Sequence, residues 1–139
     1  MFNKILLATD GSADSVRAAE KALFLAQGRP EAKVDVVYVV DCPTTKADVL
    51  GNWSADDVNT KRKAKLRLIE DKAKEAGVVY EIKILHGDPG PTIVDYANKN
   101  NYDVVVLGSQ GLNSLQEMIL GSVSHKVAKR AQCSVLIVK

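Results

Sequence analysis

The chain is short of cysteine, of long apolar stretches and of excess charge, and each shortage excludes a class of protein. Its only cysteines, Cys42 and Cys133, form no metal-binding spacing and cannot build the disulfide framework of a small secreted domain. No apolar run approaches the ~20 residues of a membrane-spanning helix. Nineteen Lys and Arg against 17 Asp and Glu give no charge-based case for nucleic acid or anionic membrane as a partner. The start of the chain resembles no secretory leader, so we expect a cytoplasmic protein.

What the sequence does contain is an ordinary globular composition with a regular alternation of segments. Hydrophobic residues make up 46% of the 139 residues and charged residues 26%. Apolar runs typical of strands lie at 4–8, 34–40, 78–85, 103–107 and 134–138, and helical spacing of apolar residues lies at 13–27, 55–76, 92–98 and 122–131. Because near-continuous apolar strands need cover on both faces, this alternation predicts a parallel sheet between helices. Residues 1–139 are therefore predicted to form one Rossmann-like α/β domain.

One glycine-rich segment carries the most chemical information. It reads Gly108-Ser109-Gln110-Gly111, then nine residues, then Gly121-Ser122 at the start of a predicted helix. Glycine lets backbone N–H groups approach an anion without a Cβ in the way, and a helix N-terminus favours negative charge. The segment matches neither the dinucleotide-binding fingerprint nor the P-loop pattern. Taken by themselves, such glycines serve more often as turn residues than as a phosphate cradle.

The spacing of these glycines resembles the universal stress protein family, whose ATP-binding members carry Gly-x-x-Gly, nine residues, then Gly-Ser or Gly-Thr. Residues 108–122 match that pattern throughout. Segments 5–12, 87–89 and 121–139 resemble the family as well, in the same order along the chain. The resemblance implies an open sheet of five parallel strands in the order 3-2-1-4-5, with four helices covering both faces. It also implies a role in the stress response and ATP as ligand, with Mg²⁺ or Mn²⁺ bound through the phosphates.

The resemblance further implies which residues meet the nucleotide. Asp10 falls beside the ribose and the metal-phosphate region, and Ala8 packs next to it. Val39 falls at the adenine edge, while Leu107 and Gly108 lie beneath the nucleotide. The residues implied to line the phosphates are Gly111, Gly121, Ser122, Val123 and Ser124. No residue is implied to be catalytic or to bind a metal directly.

Two positions depart from the family pattern. Gln110 stands where many relatives carry a basic or imidazole side chain, so one cationic phosphate contact is expected to be weaker here. Ser134 stands where the family usually has proline before the last strand, which concerns the strand and not the ligand.

Several other residues have an ordinary interpretation beside a functional one. Asp10 could simply cap its own turn. The basic residues within 61–67 are followed by acidic ones on the same predicted helix, which favours a solvated face over a nucleic-acid patch. His86 and His125 have no metal-ligand or triad spacing. Trp53 could cover the adenine, although such a residue more often pins its own loop.

Three functions stay open at this point: a regulatory ATP-binding protein, a slow ATPase or autokinase, and a family member that works through protein contacts without ATP. No general base, nucleophile or metal cluster is placed for turnover. Family members without ATP lack the glycine spacing, which this chain keeps. We therefore expect ATP binding rather than catalysis.

The last apolar run predicts a homodimer. Val135, Leu136, Ile137 and Val138 are apolar at successive positions, and the family's strand order puts them at the edge of the sheet. Such an edge exposes unpaired backbone groups unless another strand covers it. Antiparallel pairing with the same strand of a second copy, across a two-fold axis, is the simplest cover.

Replacing Gly111 or Gly121 with valine is expected to abolish ATP binding while leaving the fold largely intact. The branched side chain would occupy space meant for phosphate and would resist any backbone conformation with positive φ. Ser122→Ala is the milder comparison, because it removes one hydroxyl contact of roughly 1–1.5 kcal/mol. Titration calorimetry with ATP checks the ligand and circular dichroism the fold. Normal ATP binding by both valine variants would reduce the glycines to turn residues.

Overall fold

The computed structural model describes residues 2–9, 13–40, 64, 66–109 and 122–139. Its strands are β1 (Lys4–Thr9), β2 (Lys33–Val40), β3 (Val79–His86), β4 (Val104–Gly108) and β5 (Ser134–Val138). Its helices are α1 (Ala13–Ala26), α2 (66–76), α3 (Pro89–Lys99) and α4 (Ser122–Arg130). None of the described helices is long and apolar enough to cross a membrane. The predicted start of α2 at residue 55 lies outside the described residues.

The strand bounds agree with the sequence-based ones to within a residue, whereas the start of α3 does not. Helix α3 begins at Pro89, and the prediction placed its start at 92. The reason is that Asp88, with extended backbone angles of φ −73° and ψ 123°, precedes the helix as its N-cap residue. Pro89 can then take the first helical position, where a missing N–H costs nothing.

The five strands form one parallel sheet in the order β3-β2-β1-β4-β5, which confirms the predicted topology. Strand β1 lies at the centre. Its Ile5 is level with Val34 of β2 on one side and with Val104 of β4 on the other. Besides β1, the strands that precede α3 along the chain, β2 and β3, thus build one side of the sheet, and those that follow it, β4 and β5, build the other.

Both faces of the central strand are buried, as the uninterrupted apolar runs predict. Ile5 and Leu7 point to the face covered by α1 and α2, while Leu6 and Ala8 point to the face covered by α3 and α4. Ile5, Leu6 and Leu7 have no exposed surface at all. A strand with no solvated face cannot show the polar alternation of an exposed sheet.

A carboxylate fixes the start of β1 against the start of β4. The Oδ2 atom of Asp103 accepts the backbone N–H groups of Asn3, at 3.0 Å, and of Lys4, at 2.9 Å. The backbone N–H of Asp103 in turn donates to the carbonyl of Lys4, at 2.8 Å. These bonds set the relative position of the two strands whose opposite ends form the candidate site.

A second polar group lies beneath α3 at the amino-terminal half of the sheet. Asp35 of β2 is 4% exposed, and its Oδ2 accepts the Tyr102 hydroxyl at 2.6 Å. Burial, and then this hydrogen bond, raise the pKa of Tyr102 far above its usual range, so Tyr102 stays a proton donor. The other oxygen, Oδ1, lies 3.3 Å from the Lys33 ammonium, which also bonds Glu81 at 2.7 Å. Asp35 is therefore a buried charge with an ionic and a hydrogen-bonding neighbour.

Gly87 and Gly90 offer a matched pair of substitutions beside the start of α3. Gly87 has φ +141°, and a Cβ there would lie 2.6 Å from the Thr92 Oγ1 atom. Gly87→Ala is therefore expected to lower the free energy of unfolding by about 1–3 kcal/mol, through backbone strain and the clash. Gly90→Ala meets only the flexible Lys126 chain and lies in a helix that prefers alanine, so its effect is expected to be much smaller. Urea unfolding measures both, and equal losses would contradict the role of the Gly87 backbone.

Candidate functional site

The site is located by a reversal in the direction of chain winding. After β1 the chain enters α1 on one face of the sheet, whereas β4 is followed along the chain by α4 on the opposite face. Strands β1 and β4 are neighbours, so the reversal falls between them. In open α/β sheets a crevice opens at such a point, outside the carboxyl ends of the strands, and ligands bind there.

Apolar side chains form the base of this end of the sheet. Ala8 and Leu107, near the ends of β1 and β4, are buried at 6% and 3% exposure. Val39 of β2 and Val123 of α4 are half-buried and pack against the same cluster. The structure thus places four of the predicted binding residues in or against one apolar cluster, two of them only half-buried.

Helix α4 begins next to this base and presents its positive end there. It starts at Ser122, has no acidic residue in its first turn, and carries Lys129 and Arg130 in its last turn. The first N–H groups of an α-helix have no partner within the helix, and the helix dipole adds partial positive charge to them. No carboxylate within that first turn competes for the positive end of α4.

The hydroxyl of Ser124 joins the first turn of α4 to the end of β4. Ser124 is 2% exposed, and its Oγ donates to the carbonyl of Ser109 at 2.9 Å, with the carbonyl of Gly108 also near at 3.2 Å. A serine hydroxyl has one proton, and here backbone carbonyls engage it. Contact between Ser124 and phosphate therefore stays a prediction, and the group that would make it is the backbone N–H of Ser124.

Ser109 is a site residue that the sequence argument did not single out. It is 7% exposed, and its backbone N–H donates to the carbonyl of Val138 in β5 at 2.9 Å. Its own carbonyl receives the Ser124 hydroxyl. The only signal in the sequence is its place, as a small polar residue directly after the first glycine of the Gly-x-x-Gly pattern. A residue of this size fits into a buried junction between elements without displacing its neighbours.

The remaining predicted positions differ in what the structure says of them. Gly108 is the last residue of β4, and Ser122 is described only as the first residue of α4. Outside the described residues lie Asp10, Trp53, Gln110, Gly111 and Gly121. Across the described ranges no group of three or more His, Cys, Asp and Glu side chains could hold a metal ion. The side chains of His86 and His125 are exposed.

With this geometry in view, comparison with known proteins decides the family. The model of the universal stress protein family matches residues 1–139. The chain belongs to the universal stress protein family. Universal stress protein YxiE of Bacillus subtilis is 36% identical over 149 residues, covering 100% of both chains. The structure of universal stress protein UspA from Lactobacillus plantarum superposes with a TM-score of 0.86 at 27% identity, over 99% of this chain and 98% of that one.

Some similar structures of the family contain adenine nucleotides. A universal stress protein in complex with cAMP is 32% identical, with a TM-score of 0.74 over 97% of this chain and 95% of its own. A universal stress protein family protein from Arabidopsis thaliana with AMP bound is 25% identical, with a TM-score of 0.72 over 99% and 91%. The fold of this universal stress protein is therefore one on which relatives hold adenine nucleotides.

Proposed function

We propose that this universal stress protein binds ATP, with Mg²⁺ or Mn²⁺ held through the phosphates, and acts as a regulatory protein in the stress response. The observation that carries the proposal is the junction of β4 with the start of α4, beside the end of β1, in a chain that keeps the full glycine pattern of 108–122. The cAMP and AMP complexes of relatives support an adenine nucleotide as the ligand class.

The residues present fit such a ligand. The half-buried side chain of Val39 offers apolar surface of the kind that a base packs against, next to buried Ala8. The first turn of α4, free of acidic side chains, offers backbone N–H groups to a phosphate. In the proposal Gly111 and Gly121 complete the phosphate cradle and Asp10 faces the ribose and the metal. In the proposal the metal is held through the phosphates, as the family resemblance implies.

The proposal is one of binding and not of turnover. Both histidine side chains are exposed, His86 at the end of β3 and His125 in the first turn of α4, and the Ser124 proton is engaged by the backbone. In the proposal the protein signals by whether nucleotide is bound. It does so in the cytoplasm, the reducing compartment expected for a chain whose two cysteines form no disulfide framework. Recovery of bound ATP unchanged after long incubation, by chromatography of the denatured protein, is the result that binding without hydrolysis requires.

Thermal unfolding with a panel of nucleotides tests the ligand. ATP with Mg²⁺ at a hundred times its Kd is expected to add ~2.7 kcal/mol to the free energy of unfolding, while NAD and FAD leave it unchanged. AMP and cAMP belong in the same panel, because the relatives hold them. A larger stabilisation by cAMP than by ATP and Mg²⁺ would identify the cyclic nucleotide, and not ATP, as the ligand. A flat response to millimolar ATP would contradict the proposal.

The same proposal includes a homodimer formed through β5. Strands β3 and β5 each have a neighbour on one side only within the described sheet. Strand β3 carries Glu81 and Lys83, whereas Ser134–Val138 contains no charged residue. Charges on an edge strand discourage pairing with another chain, so β5 is the edge that favours it. Leu136 is 38% exposed at its centre and would meet its counterpart near the two-fold axis.

A glutamate at either edge distinguishes this dimer from other assemblies. Leu136→Glu is expected to yield monomers, because it puts like charges together at the two-fold axis. The substitution is at a partly exposed position and should leave the hydrophobic core intact. Ile84→Glu on β3 is the matched control, since Ile84 is 41% exposed at the opposite edge and should leave the dimer intact. Light scattering and sedimentation at tens of micromolar protein measure the assembly. A monomeric parent protein, or equal behaviour of the two variants, would refute pairing through β5.

A further inference from the structure

Strands β4 and β5 and helix α4 meet at Ser109. Its N–H is bonded to Val138 at the end of β5, its carbonyl is bonded to the Ser124 hydroxyl in the first turn of α4, and it directly follows β4. Ser109 and Ser124 are both buried, at 7% and 2% exposure. Water therefore cannot take the place of either bond without a rearrangement, since a buried backbone group keeps its partner.

These bonds connect the candidate nucleotide site to the edge strand. If α4 moves away from β4, the Ser109 carbonyl loses its donor, and the N–H of the same residue carries the bond to β5. A change at the start of α4 is thereby passed to Val138 through two hydrogen bonds of 2.9 Å each.

We propose that Ser124 is a positioning residue that couples nucleotide binding to the β5 edge through Ser109. The inference rests on the proposed nucleotide site. An anion at the first turn of α4 holds that turn in place, which holds the Ser109 carbonyl and with it the bond to Val138. Coupling of this kind is reciprocal, so an arrangement that orders β5 also strengthens nucleotide binding.

A direct phosphate contact by the Ser124 side chain would behave differently. Removing a group that touches only the ligand leaves the nucleotide-free protein unchanged. Removing a positioning group loosens the Ser109 junction even before nucleotide is added. Amide hydrogen exchange in the nucleotide-free protein therefore separates the two roles.

The experiment compares the parent protein with Ser124→Ala and Ser124→Thr by hydrogen exchange, with and without ATP and Mg²⁺. In the parent, ATP is expected to slow exchange at Ser109 and at 134–138 by about fivefold or more beyond any slowing in β3, as coupling between sites requires. In Ser124→Ala, exchange at Ser109 is expected to rise without nucleotide, and the ATP effect on 134–138 is lost. Ser124→Thr keeps the hydroxyl and is expected to restore both.

Tyr102→Phe is the matched control for general loss of stability. It removes another buried hydroxyl bond, the 2.6 Å contact to Asp35, at the other end of the sheet. It is expected to destabilise the protein and yet keep the ATP effect on 134–138. Loss of that effect in Tyr102→Phe as well would overturn the positioning role.

Titration calorimetry on the same samples keeps the two proposals apart. ATP binding by the parent with no effect on 134–138 would overturn the coupling and leave the proposed function standing. Absence of ATP binding by the parent would overturn both. Unchanged exchange at Ser109 in nucleotide-free Ser124→Ala would also refute the coupling, whatever the affinity for ATP.

Discussion

The burial of β1 between two strands and two layers of helices is the constraint on which the rest of the structure depends. Ile5, Leu6 and Leu7 are fully buried, and each side chain of this size contributes about 1.5–3 kcal/mol by leaving water. Because β1 pairs with β2 on one side and β4 on the other, both halves of the chain must be folded before this burial is complete. The same central position brings the carboxyl ends of β1 and β4 side by side, at the point where ligands bind in open α/β sheets.

Different chemical groups make the polar contacts at the two ends of the sheet. At the amino-terminal end, Asp103 and Asp35 accept hydrogen bonds from fixed donors and hold the strands in place. At the carboxyl end, the contacts are small hydroxyls and backbone groups, with an apolar base beneath them. The exposed ion pair between Lys72 and Glu20 contributes little, since such pairs contribute about 0–1 kcal/mol. Stability therefore comes from the core.

The strands could be predicted because the sequence carries their physical cause directly, whereas their order was implied only by the family resemblance. Uninterrupted runs rich in β-branched residues, such as Val104–Leu107, favour a strand in a sheet covered on both faces, and these residues are buried. The start of α3 could not, because Pro89 and Pro91 both suit a first helical turn and the choice depends on the backbone of Asp88. The spacing of apolar residues does not distinguish a helix that starts at Pro89 from one that starts after Pro91.

The same division holds for the candidate site. The apolar base and the glycine spacing are local patterns, and the sequence contains both. The bond from Ser124 to Ser109 joins residues 15 positions apart, and the bond from Tyr102 to Asp35 joins residues 67 apart. Each exists only once the sheet has brought its partners together, so no reading of neighbouring residues reveals it.

Asp35 also bears on how the chain avoids mispairing while it folds. Strand β2 has valine at 34, 36 and 37, on both faces, so a slip by one residue would exchange one set of apolar contacts for another of similar size. The slip would turn Asp35 toward α1 and α2, away from the Tyr102 hydroxyl, and bury a carboxylate among Ala and Leu side chains. Burying a carboxylate oxygen without the Tyr102 hydrogen bond is costly, whereas the loss of hydrophobic contact would be small. One acidic residue thus selects a single alignment from several that the valines alone would leave nearly equal in energy.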